Sequence, residues 1–456
     1  MRHKNVRLYV LSVFLLITGL RPAFATGSEP SKQTSVQPAQ DQISPVVPLD
    51  IRMFTLKDCF ELALKRSETL AIRKEEIESA EAEILKASGQ VLGDVDFLIT
   101  DFRQDAPRTG SSASSGIERA STAYDRRERK LVISQPLFQG FKSFAALTAA
   151  GSLKKQRKAE WKRAEELLFI DVAQAFYDVL YRQRDVETIE AILKSYEERI
   201  EELNERERIG RSRPGEVATA TSRMQIAKSK LARANGALVV SEYILEFLTG
   251  MPVYFSQMQD RAPPESAPKL EIFLESAEKR SDVEAAKQAV KTARSGVIDV
   301  QSGFWPEITL DSNVYHKREG FQKDIDWDIL FKINIPLSRG GENLGNLKQA
   351  VSTWKKTKYS YVLSKRQANL EIKQAYQNWH ASREEFEALR KAVETSQKNF
   401  DFQKEDYARS LVSNLDVLEA LEELYNTKRQ ANEIYYEMKK DYWQLVVAAG
   451  VLRELI

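Results

Sequence analysis

Residues for disulfide, metal and covalent chemistry are scarce in this 456-residue chain. It holds one cysteine, Cys59, and three histidines. One thiol cannot close an internal disulfide, so no disulfide framework holds the fold. The run TLKDCF reads as the start of an amphipathic helix, which makes Cys59 a half-buried core residue. Of the histidines beyond residue 25, His316 falls in a strand loop and His380 within a helix; neither has the spacing of a metal pair. No Gly-x-Ser-x-Gly elbow occurs. Gly210 and Gly215 stand five apart, but Glu216 occupies the place where a phosphate loop needs lysine. The sequence therefore argues against an enzyme, and no cofactor is expected. Charge bias is absent too: 68 Lys and Arg face 66 Asp and Glu, for a net charge of +2. A nucleic-acid partner would call for a basic stripe, so none is expected. Long apolar runs are missing beyond the first residues, which excludes a transmembrane helix.

The single apolar run is a targeting segment. Arg2, Lys4 and Arg7 precede a stretch of Leu, Val, Ile and Phe over 8–20, and Ala23-Phe24-Ala25 gives the small-x-small pattern of a signal-peptidase site. Residues 1–25 are thus expected to be a cleaved signal peptide, placing the chain outside the cytoplasm. Cys59 lies far beyond that site and is no lipoprotein cysteine. Residues 26–50, rich in Ser, Gln and Pro, read as a disordered leader.

The remainder of the chain carries one pattern twice. Gln135-Pro136-Leu137-Phe138-Gln139-Gly140 answers Ile335-Pro336-Leu337-Ser338-Arg339-Gly340. Glu216-Val217 answers Asp416-Val417, Ala220 answers Ala420, and Gly250 answers Gly450, each pair 200 apart. Several matches in one register mark an internal repeat. The first copy, 51–250, is expected to carry a helix over about 56–88, a β-hairpin over about 91–135, a long helix over 143–209 and a return helix over 216–249. Residues 251–268, with Pro252, Pro263, Pro264 and Pro268, read as a linker. The second copy, 269–456, repeats the order with a hairpin over about 305–336, a long helix over 342–410 and a return helix over 415–449. Gly210, Pro214 and Gly215 break the first helix pair, and the run Ser410 to Asn414 breaks the second.

The long helices carry coiled-coil spacing. Phe386, Leu389, Val393, Ser396, Phe400, Gln403 and Tyr407 step by three and four, as do Ile170, Ala173, Tyr177 and Leu180, and nearly so Ile189, Ile192, Tyr196, Ile200 and Leu203. Such seams want partner helices. Many seam positions are small or polar, which suits a hollow assembly better than a solid core. The hairpins alternate. Ile325, Trp327, Ile329, Phe331, Ile333 and Ile335 interleave with Asp324, Asp326, Asp328, Leu330, Lys332 and Asn334, a nearly all polar set. Val95, Phe97 and Ile99 do the same against Asp94, Asp96 and Thr100, with Leu98 intruding on the polar side. An apolar side for lipid and a polar side for a lumen is the pattern of a membrane strand. Two hairpins make four strands, and single-chain outer-membrane barrels begin at about eight. Open strand edges are not tolerated in lipid, so several chains must share one barrel.

These features together resemble the TolC-type outer-membrane efflux proteins. The likeness rests on the leader, the doubled arrangement, QPLFQG with IPLSRG, the segment Ala173-Gln174-Ala175-Phe176-Tyr177-Asp178 and the closing LTG, and covers about Thr55 to the C-terminus. The resemblance implies a mainly α protein with β: a homotrimer whose subunits each give four strands to one twelve-stranded outer-membrane barrel and whose helices form a periplasmic tunnel. It implies a periplasmic adaptor and an inner-membrane pump or ABC exporter as partners, no chemistry in the channel itself, and passage of solutes or polypeptides. It places ring-forming acids of a periplasmic gate at Asp416 and Glu419, with Glu216 as their counterpart. It puts adaptor contacts at the helix-turn tips Gly210, Arg211, Pro214, Gly215, Ser410, Leu411 and Asn414. Pro136, Gly140, Pro336 and Gly340 would mark barrel-to-helix transitions. The departures are Ser410 where the family often has glycine and Val412 where a tethering arginine often stands. A poreless coiled-coil envelope scaffold is the competing reading; it does not call for two alternating hairpins at matching places.

Overall fold

The computed structural model describes residues 53–103, 125–254, 258–260, 269–319 and 322–452. The expected signal peptide and leader, the segment Gly110 to Gly116 and most of the proline-containing stretch 251–268 lie outside the described residues.

The first helical stretch is two helices rather than one. Thr55 opens α1 (Leu56–Arg66) with a capping box: its hydroxyl accepts from the Asp58 N–H at 3.3 Å, and the Asp58 carboxylate accepts from the Thr55 N–H at 2.9 Å. At Ser67 the backbone turns extended and the hydroxyl accepts from the Leu70 N–H at 3.3 Å, which starts α2 (Glu68–Leu92). A helix-capping serine three residues before a free N–H is the physical reason for the break. The second copy breaks at the matching place but without a side-chain cap: α5 (Leu270–Ser276), one 3-10 turn (Ala277–Lys279), then α6 (Ser281–Gln301).

Four strands form one antiparallel sheet in the order β1 (Asp94–Arg103), β2 (Asp125–Gln139), β3 (Glu307–Arg318) and β4 (Trp327–Asn334). β2 runs beyond the expected end at residue 135. Pro136 lies inside it, opposite Thr309, and the register shifts between Pro136 and Phe138, where proline supplies no N–H. β4 is shorter than its alternating sequence, leaving Ile325 before it and Ile335 after it. Among the described residues no ladder joins β1 to β4, so both edges are open within one chain.

Each hairpin hands over to a helix of 67 residues: α3 (Lys142–Arg208) after β2 and α7 (Glu342–Ala408) after β4. At about 1.5 Å per residue each reaches roughly 100 Å. Each then returns through a helix of 36 residues, α4 (Pro214–Thr249) and α8 (Asn414–Ala449). All four bounds recur at an offset of 200, so the repeat read from single residues is a repeat of whole helices.

Two main apolar clusters hold the helices, with a third, small one of Val186, Ile189 and Ala234 between α3 and α4. The larger gathers Phe60, Phe169, Phe176, Leu245, Ile372, Trp379 and Leu445 with buried Cys59, whose thiol is pushed up to about 12 by burial. The smaller, toward the turns, joins Tyr196, Leu203, Ala220, Tyr407, Val417, Leu418 and Leu421. Between the described residues Glu342 and Gln367, α7 has no buried side chain. Its Tyr359, Leu363 and Leu370 lie open, as do Tyr243, Ile244 and Phe247 of α4. A helix packed on one side in its own chain, with apolar side chains left open on another, is built for assembly.

One buried cation ties the elements of the second copy together. Arg280 is 1% exposed and donates to the Ala448 carbonyl at 2.9 Å, to Asp282 at 2.7 Å and to Glu371 at 2.7 Å, which closes the C-terminal end of α8. A Cβ at Gly450 would meet its side chain at 3.1 Å; a Cβ at Gly250 would meet Arg66 at 2.9 Å. Lys65-Arg66-Ser67-Glu68 thus answers Lys279-Arg280-Ser281-Asp282, a repeat at a spacing other than 200.

Candidate functional site

The site lies at the far end of the long helices, where the two helix-to-helix turns of the chain are joined. Each turn begins with a left-handed residue. Gly210 adopts φ +74°, and Ser410 adopts φ +64° in the equivalent place. Glycine takes that conformation freely; serine takes it at a steric cost.

Ser413 opens α8 with a capping box. The Asp416 carboxylate accepts from the Ser413 N–H at 2.7 Å and from its hydroxyl at 2.6 Å, and the Ser413 hydroxyl accepts from the Asp416 N–H at 3.4 Å. The cap residue is therefore Ser413, and Asp416 is the third residue of the helix. Hydrogen bonds from the Ser413 side chain, and then from backbone N–H groups, hold the Asp416 carboxyl below the usual carboxylate range. Asp416 and Glu419 are both exposed, one helical turn apart. Glu419 has no ion-pair partner among the described residues.

Glu216 is half-buried and differently engaged. It accepts from the Ser212 hydroxyl at 2.9 Å within its own turn and from the Tyr407 hydroxyl at 3.2 Å across the repeat. The Tyr407 ring lies between two guanidinium groups, Arg199 at 3.8 Å and Arg206 at 4.5 Å from its centroid. Burial pushes its hydroxyl up, so it stays a donor. Arg199 also donates to Asn414 Oδ1 at 2.8 Å and to Glu202 at 2.6 Å. A second bridge, Arg223 to Glu422 at 2.8 Å and to the Leu418 carbonyl at 3.3 Å, ties α4 to α8. The turns of the two copies are thus latched to each other inside one chain.

Asn414 corrects one expectation: only 2% exposed, it points inward to Arg199 and offers no outer contact surface in this chain. Gly210, Arg211, Pro214, Gly215, Ser410 and Leu411 are exposed at the turns. Arg199 was not singled out from sequence. The signal was present, since it lies three residues after Tyr196 and four before Leu203, on the seam face of α3.

The sheet presents two unlike faces. Val95, Phe97 and Ile99 of β1 continue across the register through Leu131 and Ile133, then Ile308, Leu310 and Val314, to Trp327, Ile329, Phe331 and Ile333 of β4. Trp327, Ile329, Phe331 and Ile333 are all exposed, as is Ile325 just outside the strand. The opposite face is polar: Asp94, Asp96, Lys130, Ser134, Asp311, Asn313, Tyr315, Asp328 and Lys332, with Leu98, Val132 and Leu330 as apolar exceptions. Asp328 accepts from Asn313 at 2.8 Å and from the Tyr315 hydroxyl at 2.7 Å on that face. Gly140 and Gly340 take φ +60° and +58° where the sheet meets α3 and α7, with Pro336 just before the latter. Pro136 marks a ladder shift within β2 instead of the strand's end.

Among the described residues no helix is apolar enough to cross a membrane, and no cluster of His, Cys, Asp and Glu is arranged to hold a metal. Comparison with known proteins gives a consistent answer. The family model described as outer membrane efflux protein matches residues 60–251 and 274–451. The outer membrane protein TolC of Vibrio cholerae is 22% identical over 361 residues, covering 76% of this chain and 79% of that protein. The alkaline protease secretion protein AprF of Pseudomonas aeruginosa is 22% identical over 348 residues, covering 73% and 71%. The solved structure of the outer membrane protein VceC of Vibrio cholerae superposes with a TM-score of 0.76 at 20% identity, covering 87% of this chain and 96% of that one.

Proposed function

The chain belongs to the outer membrane efflux protein family, and we propose that it is the outer-membrane exit duct of a tripartite efflux or type I secretion system. Three copies share one twelve-stranded barrel, and their helices continue it as a tunnel into the periplasm. The observation that carries this reading is the four-stranded sheet, with one mainly apolar face, interrupted by Arg129 and Ser312, and two open edges. In lipid those edges must be closed by neighbouring copies. The polar face then lines a water-filled bore.

The duct performs no chemistry and stores no energy. A periplasmic adaptor and an inner-membrane pump or ABC exporter load its lower end through the exposed turns. Closure belongs to the latched turns: Tyr407 and Glu216 hold α7 against the first turn, and Arg199 holds the start of α8. Asp416 and Glu419, repeated three times around the axis, form an acidic ring that favours cations and repels anions.

Conductance in planar lipid bilayers tests both parts. The intact protein should give stepwise currents with a small closed level and cation preference. Tyr407→Phe removes the bond to Glu216 but keeps the ring between the arginines, and should raise conductance several-fold. Asp416→Asn should lower cation preference. A properly folded trimer that carries no current, with or without Tyr407→Phe, would overturn the duct.

A further inference from the structure

The ends of the barrel strands carry more than a lipid-facing row. Phe138, opposite Ile308 on the apolar face, meets Phe141 edge to face at 5.5 Å between centroids, and Phe141 meets Trp305 at 6.2 Å. Phe141, Phe144 and Trp305 are exposed, and Leu337, three residues beyond the end of β4, is 93% exposed. Aromatic residues at the end of a barrel's apolar band sit at headgroup depth. Phe141 is held there at a cost. It adopts φ +68°, while Gly341, its counterpart 200 residues on, adopts φ +90°. A bulky residue in the left-handed region is kept for its side chain, because glycine would serve the backbone better.

Directly beside these rings is a cleft of about 480 Å³. The turn Ser302–Phe304 connects them: Ser302 and Gly303 line the cleft, and the Trp305 N–H donates to the Ser302 carbonyl at 3.0 Å. Lys142, immediately after Phe141, and Arg339, before Gly340, line it together with Asn343 and Asn346. Neither Lys142 nor Arg339 is within ion-pair distance of a carboxylate among the described residues. Asp299 also lines the cleft, which leaves an excess of one positive charge. An apolar aromatic belt set against a basic, amide-lined recess matches an amphiphile with an anionic head.

We propose that this junction binds an anionic phospholipid of the periplasmic leaflet. The phosphate is held by Lys142 and Arg339 with the Asn343 amide, and the acyl chains lie along Phe138, Phe141, Trp305 and Leu337. Arginine suits this role because its planar fork meets phosphate oxygens in pairs. The proposal rests on the outer-membrane placement above and adds a lipid partner of stated charge.

The test uses the full-length trimer in nanodiscs of phosphatidylcholine with a minor fraction of phosphatidylglycerol. Bound lipid is counted by native mass spectrometry after transfer to detergent. Phosphatidylglycerol should be retained on the order of tenfold over phosphatidylcholine, as two basic contacts imply. The double variant Lys142→Gln/Arg339→Gln should abolish the preference and leave the trimer and its conductance intact. Phe141→Gly frees the strained backbone, so it should shorten lipid retention without loss of thermal stability. Equal retention of both lipids by the unaltered protein overturns the proposal. So does full preference in the double variant, or displacement by millimolar inorganic phosphate, which would mark a free-anion site. Dissociation of the trimer in the double variant would overturn it too, by assigning the cleft to contact between copies. Conductance recorded on the same samples separates failure of the lipid site from failure of the duct.

Discussion

Ser410 shows how much one side chain says about a turn. In the first copy the left-handed residue is Gly210; in the second a serine holds φ +64° with nothing but its place in the turn to keep it there. Ser410→Gly should raise the stability of the turn by roughly 1 kcal/mol, and Gly210→Ala should lower it by about as much. Thermal unfolding of the two variants side by side measures the asymmetry. Asp416 allows a sharper statement. Its carboxyl is held low by the Ser413 hydroxyl and backbone, so its cap is fully present above the unfolded value and is lost as pH falls through the folded one. Its share of cation preference should therefore persist through mild acid and fade only below about pH 4, the ordinary aspartate value. Reversal potentials of intact and Asp416→Asn channels across pH report it; a share already gone at pH 5 would contradict the capping geometry.

Among the elements, periodicity was the readable part. The alternating three and four spacing from Phe386 to Tyr407 lies inside one helix, and that seam is the face turned inward. Breaks were harder to see. Ser67 stops a helix by offering a hydroxyl to Leu70, an event of one hydrogen bond inside an otherwise helical pattern. Pro136 does the reverse: read as a strand's end, it is carried inside β2 by a shift in register. Arg199 escaped notice because a charged residue on a seam reads as a surface residue until its ring and amide partners are known. The strand faces make a prediction at this scale. Ile329→Lys puts a cation on the apolar face and should cost about 2–4 kcal/mol of insertion if the position lies at mid-bilayer. Leu330→Lys, on the opposite face, should cost far less. Folding yields into lipid vesicles compare them, and equal costs would mean that the two faces share one solvent.

For the molecule as a whole, the decisive inference was a count. Four strands cannot close, and the sheet indeed ends in two open edges. The same logic extends to α7, whose first 26 described residues include no fully buried side chain (Glu342 to Gln367). The repeat made the helices legible because it supplied each reading twice. It could not show how the two turns are latched, since Tyr407 and Glu216 lie 191 residues apart and share no pattern.

The paired 67-residue helices act as two gauge rods of one length, fixing the distance from bilayer to tip by residue number alone. An insertion of seven residues in one copy would displace its turn by about 10 Å and pull Glu216 away from Tyr407. Evolution can lengthen such a structure only by editing both halves in step.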